Sequence, residues 1–268
     1  MTAQVATVTT QHFSMDYCKF GQGAENLVVI PGLSAQSVMP MAELMANAYK
    51  LLSDDYTIYV FDRKKGTLNI PYTIKNMAED TVEAIKELGL SNVCIFGASQ
   101  GGMIAMEIAL GHPGLVKKLL LGSTSSHISE EGFSVFDNWI RLAKERNGEG
   151  LYMNFGEKVY PEDVFETIKT GFIQISKTVT EEDFSRFIVL AESLRNFNIT
   201  EELPKITCPT LVIGSKTDNV LGGQASEIIA AHLTGSPDCE LYMYDGYGHA
   251  AYDCAPDYTE RLLKFLKK

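Results

Sequence analysis

Short apolar runs alternate with amphipathic stretches along most of the chain. Leu27–Ile30, Tyr56–Phe61, Asn92–Phe96 and Leu115–Leu121 are compact apolar runs bounded by turn residues. Continuous apolar runs of this length are what strands buried on both faces of a parallel sheet look like. Helical spacing fills the gaps, over Met41–Leu52, Ile74–Leu88 and Met103–Leu110. In the second of these, Ile74, Met77, Ala78, Val82, Ile85 and Leu88 share one face. Phe13–Phe20 alternates loosely and stops at Gly21-Gln22-Gly23, which predicts an early hairpin strand. Strands alternating with helices predict an α/β protein whose parallel strands are joined by right-handed crossovers.

The rhythm breaks between residues 127 and 203, where no convincing β-run occurs. Instead, Phe133, Phe136, Trp139 and Leu142 share a helical face, as do Val164, Phe165, Ile168 and Phe172, and Phe184, Phe187, Ile188 and Ala191. The rhythm returns with a strand at Thr210–Ile213, a helix at Ala225–Leu233, a strand at Cys239–Tyr244 and a final helix at Tyr258–Leu266. The expected organisation is a core built from residues 1–126 and 204–268, with a helical insertion over 127–203. No internal repeat or low-complexity tract is visible.

Chemistry concentrates where the third buried run meets a helix. Gly97-Ala98-Ser99-Gln100-Gly101-Gly102 joins Asn92–Phe96 to Met103–Leu110. The spelling G-x-S-x-G is weak by itself; on a strand-to-helix corner it predicts a nucleophile elbow. Glycines two before and two after the serine remove side chains that such a sharp turn would bring into collision. The serine hydroxyl then stands at a helix N-terminus, whose free N–H groups suit an anion.

A serine needs a base, and the base needs a group that holds its tautomer. Functional groups of an open parallel sheet gather at the carboxyl ends of its strands. Asp218 follows the strand Thr210–Ile213 and is the only carboxylate of its loop; His249 follows Cys239–Tyr244 in Gly246-Tyr247-Gly248-His249. The chain order Ser99, Asp218, His249 suits this architecture. Oxyanion donors are expected from the backbone N–H of Gln100 and, in the loop Pro31-Gly32-Leu33-Ser34, of Leu33. Among the other histidines, His112 precedes Pro113 at a helix end, His232 lies in a helix and His12 is near the N-terminus. His127 opens the insertion and is a candidate to touch substrate.

A formal net charge of −11 disfavours nucleic acid as a partner. The short basic run Arg63-Lys64-Lys65 reads as a solvated loop after a strand. Five dispersed cysteines, with no C-x-x-C pair, read as reduced and mostly buried thiols and as neither a disulfide framework nor a metal site. Residues 1–11 are polar and lack a leader pattern, and no apolar run approaches membrane-spanning length. The expectation is a cytoplasmic protein with no membrane partner.

With these residues in place, the chain resembles the α/β-hydrolase superfamily, in the group that carries a helical cap after the sixth strand. The resemblance spans nearly the whole length, through Asp62-Arg63, Gly97–Gly102, Leu115–Ser123, Gly214–Asp218 and Gly246–His249. It implies a mostly parallel sheet of eight strands flanked by helices, a Ser99–His249–Asp218 triad, oxyanion donors at Leu33 and Gln100, and no metal or organic cofactor. Two positions depart from the usual pattern: Pro31 stands where many relatives have histidine, and Arg63-Lys64-Lys65-Gly66-Thr67 where arginine and two glycines are usual, which makes a cationic loop near the site the second reading of this run; a pocket ending in Arg63 or Lys64 would point to an anionic substrate. The activity implied is that of a serine hydrolase opening an ester, thioester or related acyl bond of a small molecule. The alternatives on the same fold are a C–C bond hydrolase, a proline-releasing peptidase and a ligand binder without turnover. A dehalogenase would need a carboxylate in place of Ser99. Phe136, Trp139 and His127 are the first candidates for the substrate pocket, with Tyr152, Phe155, Phe172 and Phe187 behind them, although packing alone would give the aromatics the same spacing.

Overall fold

Strand β5 (Val93–Ala98) is buried at all six positions, which is why its sequence shows no polar alternation. In the computed structural model, which describes residues 2–68 and 70–268, it lies at the middle of one eight-stranded sheet. The strands in chain order are β1 (Gln4–Thr9), β2 (Ser14–Phe20), β3 (Glu25–Ile30), β4 (Tyr56–Lys64), β5, β6 (Val116–Gly122), β7 (Thr210–Ser215) and β8 (Cys239–Tyr244). Across the sheet they run β1-β2-β4-β3-β5-β6-β7-β8. The pairs β1/β2 and β2/β4 are antiparallel and every other pair is parallel. The fold is therefore that of an α/β hydrolase, as the sequence implied.

Helices cover both faces. The α2 (Ile74–Glu87), α3 (Gln100–Gly111) and α8 (Ala225–His232) side holds Met77, Ile85, Ile104, Ile108 and Ile229 against Val28, Ile30, Ile95 and Leu119. On the other face, α1 (Ala42–Ala48) and α10 (Tyr258–Leu266) set Ala46, Leu262 and Phe265 against Leu27, Cys94 and Leu120. Helix starts follow local chemistry. Thr73 and Asn76 form a reciprocal capping box on α2.

Two elements differ from the sequence reading. The first of the eight expected strands, β1, has no residues assigned to it by the sequence pattern. Only Val8 of its six residues is buried, so the hydrophobic alternation that announces a strand is missing, and its identity comes from the register with β2. The basic run is not a solvated loop throughout. Pairing of Met15 with Lys64 extends β4 through Arg63, which is buried at 7% exposure.

Between β6 and β7 stand four helices, α4 (Ser134–Lys144), α5 (Gly148–Val159), α6 (Glu162–Ser176) and α7 (Glu181–Glu192). The two chain segments at the neck of this insertion are pinned together. His127 and Asn198 form a β-bridge, and Ile199 N–H donates to Ser126 O at 2.8 Å. Inside, Phe136 meets Trp139 edge-on with centroids 5.3 Å apart, and Trp139 lies 4.8 Å from Phe155. The Trp139 indole N–H finds Asn154 Oδ1 at 3.0 Å, so this buried donor is satisfied.

Candidate active site

Strand β5 ends and α3 begins within one residue, and Ser99 occupies the corner with φ +53° and ψ −124°. A non-glycine residue in this region costs about 1–3 kcal/mol and persists only where its surroundings enforce it. Here they do. The Ser99 N–H donates to Gly122 O at 2.9 Å, and the Thr124 hydroxyl donates to Ser99 O at 2.7 Å. The flanking glycines are required by close approach. A Cβ on Gly97 would stand 2.3 Å from Gly101 O, and one on Gly101 would stand 1.9 Å from Ile30 O. Ser99 is partly exposed, and among the described residues its hydroxyl has no hydrogen-bond partner.

The loops after β7 and β8 bring Asp218 and His249 together. His249 Nδ1 lies 2.8 Å from Asp218 Oδ2, with both side chains at 4% exposure or less. An ionised carboxylate only accepts, so Nδ1 is the donor in this bond, and Nε2 makes no hydrogen bond among the described residues. Asp218 Oδ1 accepts from the Val220 and Leu221 N–H groups at 2.8 and 3.0 Å. Burial pushes the Asp218 carboxyl up, but the charge and hydrogen bond of His249 and the two backbone donors outweigh it and hold the group below its ordinary value. The His249 loop turns through Gly246 and Gly248 at φ +84° and +58°. It is fastened to the helical layer by Ala250 N–H donating to Val159 O at 2.9 Å.

Gly32 sits against the serine: a Cβ there would be 3.1 Å from Ser99 Cβ and 3.6 Å from its Oγ. The N–H groups of Leu33 and Gln100 have no acceptor among the described residues. Two free backbone donors beside a nucleophile are what stabilising an oxyanion requires. The Gln100 side chain is occupied elsewhere. Its Nε2 donates to Leu190 O of α7 at 2.8 Å and to Ser193 Oγ at 3.3 Å, while its Oε1 accepts from Arg63 Nη2 at 3.3 Å.

The pocket expectations fare unevenly. Phe136 and Trp139 are 2% and 1% exposed and pack the interior of the helical layer, lining neither cleft found beside the sheet. His127 does line a cleft of about 120 Å³, with Ser125, Val220 and Leu221, and its buried Nδ1 has no hydrogen-bond partner among the described residues. The other cleft runs from Gly32 and Gln100 to Arg63 of β4 and to Arg186 and Leu190 of α7. Arg186 was not singled out from sequence, because nothing in the spacing of α7 marks an arginine that faces the core. Among the described residues, no group of three or more His, Cys, Asp or Glu is placed to hold a metal ion, and no helix is long and apolar enough to cross a membrane.

The fold and this corner define a class. The profile of the alpha/beta hydrolase fold family matches residues 25–256, and the chain belongs to that family. A relative in Stutzerimonas stutzeri, provisionally named carbamate hydrolase RutD, is 26% identical over 243 residues, which are 85% of this chain and 86% of the relative. Among solved structures, an alpha/beta hydrolase enzyme, MGS-M2, from a Medee basin deep-sea metagenome library superposes with a TM-score of 0.86 at 22% identity, covering 98% of each chain. An esterase, EaEST, from Exiguobacterium antarcticum superposes with a TM-score of 0.80 at 24% identity, covering 99% of this chain and 100% of the other.

Proposed function

We propose that the protein is a serine hydrolase that opens an ester, thioester or related acyl bond of a small molecule through a Ser99–His249–Asp218 triad. Two observations support this reading: a strained, partly exposed serine at a helix start, and an imidazole whose Nδ1 is committed to a buried carboxylate in the loops after the neighbouring parallel strands. Ser99 Oγ attacks the carbonyl carbon while His249 Nε2 takes the hydroxyl proton. The carbonyl π electrons move onto oxygen, where the N–H groups of Leu33 and Gln100 receive them. Collapse of the tetrahedral adduct breaks the bond to the leaving group, which takes the proton from His249. Water then adds to the acyl-enzyme by the same route, giving a free acid and Ser99. Asp218 holds the tautomer and faces the imidazolium as it forms. The helices of residues 127–203 act as a cap over the carboxyl ends of the strands. Kinship with a relative named for carbamate hydrolysis supports a carbonyl carrying a heteroatom leaving group.

Covalent labelling tests the reading. A fluorophosphonate is expected to label Ser99, and Ser99→Ala, folded by circular dichroism, is expected neither to label nor to hydrolyse 4-nitrophenyl butyrate. Folded wild-type protein that never labels refutes it.

A further inference from the structure

Arg63 is an expensive residue to bury. At 7% exposure it has left water almost completely, yet its guanidinium is only partly satisfied. Nη2 donates to Pro31 O at 2.8 Å and to Gln100 Oε1 at 3.3 Å, while the buried Nε has no partner among the described residues. Asp62, the neighbouring carboxylate in the same cleft, turns its Oδ1 to the Arg63 backbone N–H at 2.8 Å and leaves the guanidinium unpaired. Burial pulls the Arg63 group down to about 10, and the positive charge of Arg186 adds to that fall against the opposing pull of Asp62 and Tyr72. Arg186, from the opposite wall, forms no ion pair or hydrogen bond among the described residues and lines the same cleft. The surface elsewhere is rich in pairs: Arg141, Arg146 and Arg195 all have carboxylate partners. Two guanidiniums line one narrow cleft of about 10 Å³ whose single carboxylate among the described residues is turned partly away, and they leave a positive site that a small anionic group would complete.

The cleft is contiguous with the reacting corner. Gly32 is shared between them, because it touches Ser99 and lines the cleft, and Gln100 contributes its side chain to the cleft one residue after the nucleophile. We infer that Arg63 and Arg186 bind a carboxylate on the acyl part of the substrate, so that the preferred substrates are half-esters or half-thioesters of small dicarboxylic acids. This inference rests on the acyl-hydrolase reading and names its substrate class. Arg63 supplies the buried end of the clamp. Arg186 closes it from α7, so that the helical layer and the core hold the substrate from two sides. Specificity of this kind arises because the analogue without the anion leaves both cations unpaired.

The test pairs mono-4-nitrophenyl adipate with 4-nitrophenyl hexanoate, which share a six-carbon acyl chain and differ in the terminal carboxylate. Wild-type protein is expected to favour the adipate at least tenfold in kcat/KM. Arg186→Gln is expected to lower that ratio at least tenfold, chiefly through KM, with Arg186→Lys restoring part of it. Arg63 is kept intact because its bond to Pro31 O also shapes the loop beside Ser99. A binding arm does not depend on turnover: Ser99→Ala protein is expected to bind glutarate by calorimetry, and Ser99→Ala/Arg186→Gln to bind it at least tenfold more weakly. A ratio at or below one that Arg186→Gln leaves unmoved, or glutarate binding that is absent or indifferent to Arg186, overturns the inference while leaving the hydrolase reading intact. Inhibition by phosphate with no preference for the charged ester would assign the cleft to a free anion and overturn it as well. Absent labelling and absent turnover of both esters with intact glutarate binding would strike the hydrolase reading instead.

Discussion

Gly101→Ala sets two physical arguments against each other. Gly101 is the second residue of α3. By helix propensity alone, alanine for glycine stabilises a helix interior by up to about 1 kcal/mol. Close approach argues the opposite. The new Cβ would stand 1.9 Å from Ile30 O and 2.5 Å from Pro31 O, where ordinary contact begins at 3.4 Å. Both neighbours are backbone atoms and have no rotamer to escape into. Overpacking typically costs about 1–3 kcal/mol, and an overlap this deep against backbone falls at the upper end, so the net expectation is a loss of about 2 kcal/mol. The displaced backbone is the loop that carries the proposed donor Leu33, and a shift on the order of 1 Å at a reacting site costs about 10²-fold in rate. Gly111→Ala is the internal control. It sits in the same helix, and its Cβ would meet only Glu79 Oε1, at 3.6 Å. Urea denaturation should show Gly111→Ala neutral or slightly stabilised and Gly101→Ala destabilised. Ester turnover should fall only in Gly101→Ala. Equal stability and equal kcat/KM in the two variants would refute the claim that the elbow and the neighbouring loop are held by backbone contact.

Asp218→Asn removes the carboxylate that fixes the His249 tautomer, and a loss in kcat on the order of 10⁴-fold is expected with the fold retained. The same variant has a signature in acid. The folded-state carboxyl lies below its unfolded value, so its ionised form favours folding. That contribution is complete above the ordinary carboxylate value of about 4 and is lost as pH falls through the lower folded value. Chemical denaturation between pH 7 and pH 3 should therefore show a shallower acid loss in Asp218→Asn than in wild type, and equal slopes would contradict the assignment. Trp139→Ala empties the centre of the helical layer and deletes the donor to Asn154. A stability loss of about 3–5 kcal/mol is expected by thermal or urea unfolding, and a loss under 1 kcal/mol would mean the indole is not the core of that layer.

The sequence disclosed the residues whose position is set by the ends of buried strands. Ser99, Asp218 and His249 each follow a parallel strand closely, so locating the strands is enough to place all three just past carboxyl ends of the sheet. The insertion between β6 and β7 is readable because α4 and α7 each turn one apolar face inward. Strand β1 was hidden because an edge strand with one buried residue carries no alternation. Arg63 reads two ways from sequence, as solvated loop and as a cation near the site, because charge normally marks solvent; the register with β2, through Met15 and Lys64, draws it inside. Phe136 and Trp139 were proposed for the pocket on aromatic character, which burial in the helical layer explains equally well. The facing of Arg63 and Arg186, more than a hundred positions apart, is a tertiary fact with no local trace.

Gln100 joins two tasks in one residue. Its main chain stands at the first turn after Ser99, while its side chain grips Leu190 and Ser193 of the helical layer and receives Arg63. A lifting of α7 to admit a ligand would therefore pull on the residue whose N–H is assigned to the developing charge. Docking and bond-breaking would then share a single mechanical linkage, and sequence changes far out on the helices would register in turnover as well as in affinity.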